Sequence, residues 1–218
     1  VGAALATSGA AFQSLLRNPL ADPYVLGTSS GAALGAAIAF LVPITGIAWE
    51  LGGVQLAAFI GALASVGLVW RIAGIGSGEE RIASVLLVGY AVASLLAAAL
   101  SLVMLASGAN LRAIFGFLLG GLDGVTWPRL AAAALPIAIA TLLLARRGRA
   151  LAAFLLGDEG ATHLGIDVRR ERRIAVALAT LATASAVALA GLVGFVGLVV
   201  PHLARLAVGS DPRAVLPL

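Results

Sequence analysis

The stretch Leu15–Ala37, LLRNPLADPYVLGTSSGAALGAA, decides how this chain must fold. It places an arginine, an asparagine, an aspartate and two prolines between two segments that are almost wholly apolar. Proline disfavours helical backbone at the residue before it, so the flanking helices must end at Asn18–Pro19 and Asp22–Pro23. We therefore predict a short polar turn that joins two apolar helices.

The composition is that of a membrane protein. Of the 218 residues, 61% are hydrophobic and 11% are charged, whereas about a quarter of the residues of a soluble domain are charged. There is no cysteine, which excludes disulfides and thiol chemistry. All 14 basic residues are arginine, and we interpret this excess as a signal of membrane orientation rather than of nucleic-acid binding.

Short polar stretches divide the chain into apolar segments, and a membrane span needs about 20 residues. The predicted spans are Val1–Leu16, Tyr24–Val42, Leu51–Trp70, Ile82–Ala106, Pro128–Ala145 and the long run Ile174–Val208. At about 1.5 Å per residue, that last run is too long for a single crossing. We expect it to fold back within Gly191–Gly197, which gives seven spans, the last one short and kinked at Pro201.

The arginines set the orientation. If all seven predicted spans cross, every arginine except Arg112 and Arg129 falls on one side of the membrane. Basic residues concentrate on the cytoplasmic side, so the turn Arg17–Pro23 and the segment 146–173 are predicted to be cytoplasmic. Treating 174–208 as one span would place Arg205 and Arg213 outside, which fits this rule less well.

The helix after the turn carries Gly27, Gly31 and Gly35 at four-residue spacing, with Ser29 and Ser30 between them. Small residues on one face allow another helix to approach closely. Two interpretations remain open at this point, tight helix packing and the lining of a transport pathway.

The longest cytoplasmic segment, 146–173, is a candidate docking surface. Asp158 and Glu159 follow Gly157, which suits a helix N-terminus, where negative charge complements the helix dipole. Ala161 and Leu164 are three residues apart and are expected to share a helical face. The alternative is a plain connecting loop that its arginines anchor to the membrane surface.

The outer segment Ser107–Trp127 contains LRAIFGFLLGG, residues 111–121, which is amphipathic and too short to span. We predict an interfacial helix there, near the outer mouth of the bundle.

The chemistry of the spans limits the possible functions. No ionisable residue lies in the middle of a predicted span, which disfavours an ion-coupled secondary carrier. Thr180, Thr183 and Ser185 share one span, but no histidine or aspartate is positioned to activate them, which disfavours an intramembrane enzyme. Both classes remain as remote alternatives. If the protein moves a solute uphill, a partner must supply the energy.

Three blocks resemble the FecCD-type family, the iron-chelate and cobalamin permeases of bacterial ABC importers. They are RNPLADPYVLGTSSGAALGA from Arg17, LLGDEGATHLGIDV from Leu155 and GLVGFVGLVVPHLARLAVGSDPR from Gly191. The blocks occur in the family's order and at roughly the family's spacing. The resemblance covers essentially the whole chain.

The resemblance implies an all-α, polytopic transmembrane protein with the type II ABC importer permease fold, of whose ten helices about seven are expected here. Residues 1–218 would be a single permease domain that begins at the family's second helix and ends as the ninth begins, with a cytoplasmic coupling loop at 146–173. The expected location is the plasma or inner membrane of a bacterium or archaeon.

The resemblance also implies partners. They are a second permease copy in a homodimer, two ABC ATPase subunits, an extracytoplasmic substrate-binding protein and membrane lipid, but no nucleic acid. The chain itself is expected to be no enzyme and to bind no cofactor or metal, since ATP and magnesium are used by the ATPase. The implied substrate is an iron chelate, most commonly a ferric siderophore, with haem or cobalamin as alternatives.

Roles for individual residues follow from the same resemblance. The ATPase-coupling loop maps onto Gly157, Asp158, Glu159, Ala161, Leu164 and Gly165. The signature turn is Arg17, Asn18, Pro19, Leu20, Ala21, Asp22 and Pro23. Helix packing or the pathway would use Gly27, Ser29, Ser30, Gly31 and Gly35.

Three further sets complete these expectations. The cytoplasmic gate region would fall at Ser77, Glu79 and Glu80. The late family motif comprises Gly191, Gly194, Gly197, Pro201 and His202. By location and charge alone, Arg112 and Arg129 are expected to pair with acidic residues of the binding protein.

Overall fold

The computed structural model of the chain describes residues 1–42, 52–74 and 79–217, except for the side chains of 79–82. In these ranges the regular structure is helical and contains no strand, which confirms the all-α prediction. Two 3₁₀ turns, Pro23–Leu26 and Gly108–Asn110, accompany the α-helices. The α-helices are α1 Gly2–Leu15, α2 Thr28–Leu41, α3 Gly53–Ala73, α4 Glu79–Ala106, α5 Leu111–Leu119, α6 Trp127–Arg146, α7 Gly148–Phe154, α8 Gly157–His163, α9 Val168–Ala190, α10 Val196–Val208 and α11 Pro212–Val215.

Four helices in the described ranges are long and apolar enough to cross a membrane by themselves. They are α3, α4 from Ala83 onward, α6 and α9. The apolar helices α2 and α10 are shorter, and α1 has 14 residues. The multi-pass architecture is therefore built from full-length spans together with shorter helices that pack among them.

The second predicted span begins later than the sequence suggested. Pro23–Leu26 forms a separate 3₁₀ turn, and α2 starts only at Thr28. The break falls at Gly27, whose φ of 75° lies in the left-handed region. Glycine adopts this conformation at little steric cost, so the chain can change direction before the helix starts.

The long run 174–208 folds back where predicted. The helix α9 ends at Ala190, Gly191 has a φ of 68°, and the backbone stays non-helical until α10 begins at Val196. Phe195 also has a positive φ, 67°, a conformation that costs more for a residue with a side chain than for glycine.

The helix α9 forms the centre of the bundle. It packs against α1, α2, α3 and α6, and 67% of its apolar window is buried, compared with 11% for α4 and for α6. Alanines such as Ala179, Ala182 and Ala184 are fully buried along it. Their small side chains let the neighbouring helices approach closely.

The helices α2 and α3 approach so closely that their backbones come into contact. A Cβ atom added at Gly31 would lie 2.3 Å from the carbonyl oxygen of Gly61, and one added at Gly35 would lie 2.2 Å from that of Ala57. Both distances are far shorter than a normal contact. Tight helix packing therefore accounts for Gly31 and Gly35, while Gly27 supplies the positive φ before the helix.

Candidate functional site

The turn Arg17–Pro23 is braced by its own polar side chains. Asn18 Oδ1 accepts a hydrogen bond from the Leu20 N–H at 2.9 Å, and Asp22 Oδ1 accepts one from the Tyr24 N–H at 2.8 Å. Asparagine and aspartate favour such local bonds, which fix a turn without further secondary structure. Burial raises the pKa of Asp22, and the bond from Tyr24 opposes that rise.

Arg17 connects this turn to the predicted coupling segment. Its φ of 49° is in the left-handed region, unusual for a residue with a side chain. A Cβ atom added at Gly157 would lie 3.5 Å from Arg17 Nη1, so the guanidinium reaches the start of α8. The fold thus brings together two of the three sequence blocks.

The third block meets the same turn through Gly197. A Cβ atom added at Gly197 would lie 2.5 Å from Pro23 Cγ, and one added at Gly9 would lie 1.8 Å from the carbonyl oxygen of Gly197. Only glycine allows α1, α10 and the turn to pack this closely. Pro201, which has no N–H, leaves that carbonyl without its helical donor, and Gln13 Nε2 lies within 3.5 Å of it.

The non-helical segment 191–195 is held from two sides. The Tyr24 hydroxyl donates a hydrogen bond of 2.9 Å to the carbonyl oxygen of Val193. A Cβ atom added at Gly191 would lie 2.3 Å from the carbonyl oxygen of Phe117 in α5. The segment therefore links α5 to Tyr24, which directly follows the turn. Of the other late-motif residues, Pro201 is buried, whereas Gly194 and His202 are exposed.

The segment 146–173 folds into two short helices, α7 and α8, before α9 begins. The predicted helix start at Gly157 is confirmed, since α8 spans Gly157–His163 with two acids in its first turn. The prediction that Ala161 and Leu164 share a face is wrong. Ala161 is fully buried, but Leu164 is 62% exposed, because α8 ends at His163 and the backbone turns at Gly165 with a φ of 76°.

Two ion pairs fasten this segment to the base of α9. Arg172 Nη2 lies 2.6 Å from Asp158 Oδ1, and Arg147 Nη1 lies 2.5 Å from Glu171 Oε1. The Arg172 guanidinium also lies 5.6 Å from the ring centroid of Phe154, a favourable cation–π distance. These contacts hold α7 and α8 against α9.

The exposed surface of this segment is both apolar and acidic. Leu155 and Leu156 are 45% and 66% exposed, and Glu159 is exposed next to Asp158. Because Asp158 pairs with Arg172, Glu159 is the accessible acid of the two. We predicted that both acids would be available to a partner, but in the structure Asp158 is engaged by Arg172 and Glu159 is the exposed one.

The predicted gate region is only partly described. Ser77 lies outside the described residues. Glu79 and Glu80 are the first two residues of α4.

The two outer arginines have different surroundings. Arg112 is exposed on α5. Arg129, at the start of α6, is half-buried, and its Nη1 donates a hydrogen bond of 3.2 Å to the carbonyl oxygen of Gly124. Together with Gln55 and Asp123 it lines a cavity of about 380 Å³. Arg112 is therefore the more exposed of the two.

Two residues that matter to this arrangement, Gln13 and Gly9, were missed by sequence reasoning. Gln13 is 3% exposed, and its Oε1 accepts a hydrogen bond from Arg205. A long amide side chain inside the predicted span Val1–Leu16 was the available signal. The role of Gly9 had no local signal, because its contact at Gly197 comes from a distant part of the chain.

Comparison with known proteins identifies the architecture. The profile of the FecCD transport family matches residues 1–218, the whole chain. The chain belongs to the FecCD transport family.

Curated relatives of this FecCD chain include permeases with three different substrates in their names. It is 43% identical over its full length to the cobalamin import system permease protein BtuC of Halobacterium salinarum, covering 58% of that protein. It is 39% identical over its full length to the hemin transport system permease protein HmuU of Yersinia pestis, covering 65%. Identity to the ferric enterobactin permease FepG of Escherichia coli is 35% over 96% of the chain, covering 62% of that protein.

The FecCD chain therefore spans about three fifths of the length of the curated relatives it matches. Among solved structures, an ABC transporter described as metal-chelate type, in an inward-facing conformation, has a TM-score of 0.90 at 27% identity. The match covers 99% of this chain and 68% of that one. The predicted ABC permease fold and the multi-pass location in the plasma or inner membrane are confirmed.

Proposed function

We propose that this chain is part of the permease subunit of an ATP-driven importer that carries a metal chelate into the cytoplasm. The observation that carries the proposal is the anchoring of α8 to α9 through the Asp158–Arg172 ion pair, beside an exposed apolar and acidic surface. This is the arrangement that a partner ATPase needs, because a surface helix passes on motion only when it is fixed to the transport core.

The mechanism follows from these contacts. A partner that binds Leu155, Leu156 and Glu159 pulls on α8, and the ion pair transmits the displacement to α9. Arg17, whose guanidinium lies near Gly157, transmits it to the turn. Pro23 of the turn contacts Gly197 of α10, so α8, α9, the turn and α10 move together.

The partners follow from the same mechanism. Two ATPase subunits act on a permease homodimer from the cytoplasm and use ATP and magnesium. A substrate-binding protein docks outside, where Arg112 is accessible to an acidic residue. The permease carries out no covalent chemistry and holds no cofactor of its own. In the described part of the chain, the Ser185 hydroxyl donates to the Leu181 carbonyl oxygen at 2.8 Å, which does not suit a nucleophile.

The substrate belongs to the class of large metal chelates. A ferric siderophore is the commonest substrate of such permeases and is our first proposal. Cobalamin is the second, because the relative at 43% identity is named a cobalamin permease. Haem is the third, supported by the relative at 39% identity.

Co-purification followed by an ATPase assay tests this proposal. The full-length permease is purified together with the products of neighbouring genes and reconstituted in lipid. ATP hydrolysis is then measured with binding protein loaded in turn with ferric siderophore, cobalamin or haem. We expect an ATPase to co-purify and one loaded binding protein to stimulate hydrolysis.

The Glu159→Arg variant tests the docking surface, since it alters the exposed acid without touching the Asp158–Arg172 pair. Loss of stimulation in this variant supports the docking surface. If no ATPase binds the wild-type permease, the surface of α8 has been misinterpreted, and an ion-coupled carrier becomes the better hypothesis.

A further inference from the structure

The helix α10 is interrupted by a proline, and one buried side chain of α1 contacts the helix on both sides of it. Pro201 divides α10 into a first half, 196–200, and a second half, 202–208. Within the described structure, no residue of the second half is buried. The direction of the second half therefore depends on the few side-chain contacts that it makes.

The side chain of Gln13 supplies such a contact. It is 3% exposed, and its Oε1 accepts a hydrogen bond from Arg205 Nη2 in the second half. Its Nε2 lies 3.5 Å from the carbonyl oxygens of Gly197 and Leu198 in the first half. The same nitrogen lies 3.3 Å from the carbonyl oxygen of Ala21 in the turn. The amide thus bridges the two halves of α10 and joins them to the turn.

The partners on the two sides need opposite groups. A guanidinium only donates hydrogen bonds, so the amide atom that faces Arg205 must be the oxygen. Pro201 has no N–H, so the carbonyl of Gly197 lacks its usual helical donor, and a buried acceptor without a donor is costly. Glutamine supplies the acceptor for one half of α10 and the donor for the other from a single planar group.

The second half of α10 is also connected to the segment 146–173. Residues 209–211 lead from α10 to α11, which packs against α7. A Cβ atom added at Gly148 of α7 would lie 3.1 Å from Arg213 Cα in α11. The helix α11 therefore links α7 to the second half of α10.

We propose that Gln13 is a positioning residue for transport, whose amide makes the two halves of α10 move as one. A displacement of α7 by the ATPase reaches the second half of α10 through α11. The amide passes it to the first half, which contacts Pro23 of the turn at Gly197. This role rests on the proposed coupling of the segment 146–173 to an ATPase. It adds a second connection from that segment, separate from the ion pair between α8 and α9.

Four variants of the full-length permease test the bridge. Gln13→Met keeps the length of the side chain but removes both the donor and the acceptor. Pro201→Ala restores the N–H that the carbonyl of Gly197 lacks, and it is also combined with Gln13→Met in a double variant. Ser14→Ala is the matched control, because the Ser14 hydroxyl is also buried in α1 but donates within its own helix, to the Ala10 carbonyl oxygen at 2.9 Å.

Hydrogen–deuterium exchange in nanodiscs measures the bridge without any ATPase. In Gln13→Met, the amides of 202–208 should exchange about ten-fold faster than in the wild type, which corresponds to the loss of one buried hydrogen bond. The double variant should exchange at nearly the wild-type rate, because a continuous helix no longer needs the bridge. Ser14→Ala should leave the rate unchanged. A side chain that merely fills space in α1 would give the same loss with or without Pro201.

Transport coupling is measured separately, as chelate imported per ATP hydrolysed in proteoliposomes that contain the partner ATPase and loaded binding protein. Gln13→Met should lower this ratio, and the double variant should recover part of it. If Gln13→Met does not fold, Gln13→Glu replaces it, since it keeps the acceptor for Arg205 and loses the donors.

The outcomes separate this role from the proposed function. Unchanged exchange in Gln13→Met, or no recovery in the double variant, overturns the bridge and leaves the proposed function standing. Altered exchange with an unchanged transport ratio overturns the positioning role in transport. If the wild-type permease binds no ATPase, the proposed function and the positioning role fail together.

Discussion

Replacement of Gly9 by alanine tests the close packing on which the arrangement of the turn and α10 depends. The new Cβ atom would lie 1.8 Å from the carbonyl oxygen of Gly197. Ordinary contacts begin at 3.4 Å, so α1 and α10 must separate by roughly 1.6 Å. No side-chain rotation relieves this clash, because the position of a Cβ atom is fixed by the backbone of α1 and the carbonyl oxygen belongs to the backbone of α10.

The expected cost can be estimated from two opposing terms. Overpacking of a tight interior typically costs about 1–3 kcal/mol, and a clash with rigid backbone belongs at the upper end. Alanine gains about 1 kcal/mol over glycine in a helix. We therefore expect Gly9→Ala to lower the free energy of unfolding by about 2 kcal/mol.

Gly67→Ala is the matched control in this test. Gly67 lies in α3, and a Cβ atom there would meet nothing within 4 Å. Thermal unfolding of the full-length permease in detergent, followed by tryptophan fluorescence, should place the Gly9 variant below the wild type and the Gly67 variant at or above it. A Gly9 variant as stable as Gly67→Ala would refute the described contact between α1 and α10.

Three further predictions concern the cytoplasmic side. Glu159→Arg should uncouple ATP hydrolysis from chelate uptake in proteoliposomes while leaving the protein folded, because this acid is exposed. Asp158→Asn should destabilise α8 by about 1–3 kcal/mol, measured by chemical denaturation, because it removes the 2.6 Å ion pair with Arg172. Asp22→Asn should keep the turn and be at least as stable as the wild type near pH 7, because the pKa of Asp22 is raised by burial.

Each of these has a contrasting outcome. Unchanged uptake in Glu159→Arg removes the assigned role of that residue. A charge swap of Asp158 and Arg172 should recover part of the lost stability, and no recovery argues against a direct ion pair. For Asp22, the raised native pKa means that stability falls as pH rises from 3.8 through the native value. Asp22→Ala, which loses the cap, should cost about 1 kcal/mol at low pH, and this cost should shrink as the pH rises through the native pKa of Asp22.

Some features of this protein could be predicted from the sequence because they depend on local physics. Two prolines four residues apart end a helix wherever they occur, so the turn at Arg17–Pro23 followed directly. Length and hydropathy together required a break in 174–208, and the only glycine-rich point in that run was Gly191–Gly197. The start of α8 at Gly157 likewise depends on the residues beside it.

Other features depended on which distant segments meet. The expectation for Leu164 failed because spacing alone does not show where α8 ends, and the chain turns directly after His163. Helical spacing also does not predict that Asp158 forms an ion pair with Arg172, which leaves Glu159 as the accessible acid.

The sequence by itself determined that this is a multi-pass helical membrane protein, because composition, hydropathy and proline positions act locally, and the resemblance of three sequence blocks to the FecCD-type family indicated the permease class. Only the tertiary structure decided that Arg17, Gly157 and Gly197 lie around one turn, and that Gln13 and Arg205 meet. The physical reason is that close packing of backbone against backbone, at Gly9 and Gly197, is a property of two surfaces. The sequence around Gly9 does not show that it packs against Gly197, and the sequence around Gly197 does not show that it packs against Gly9.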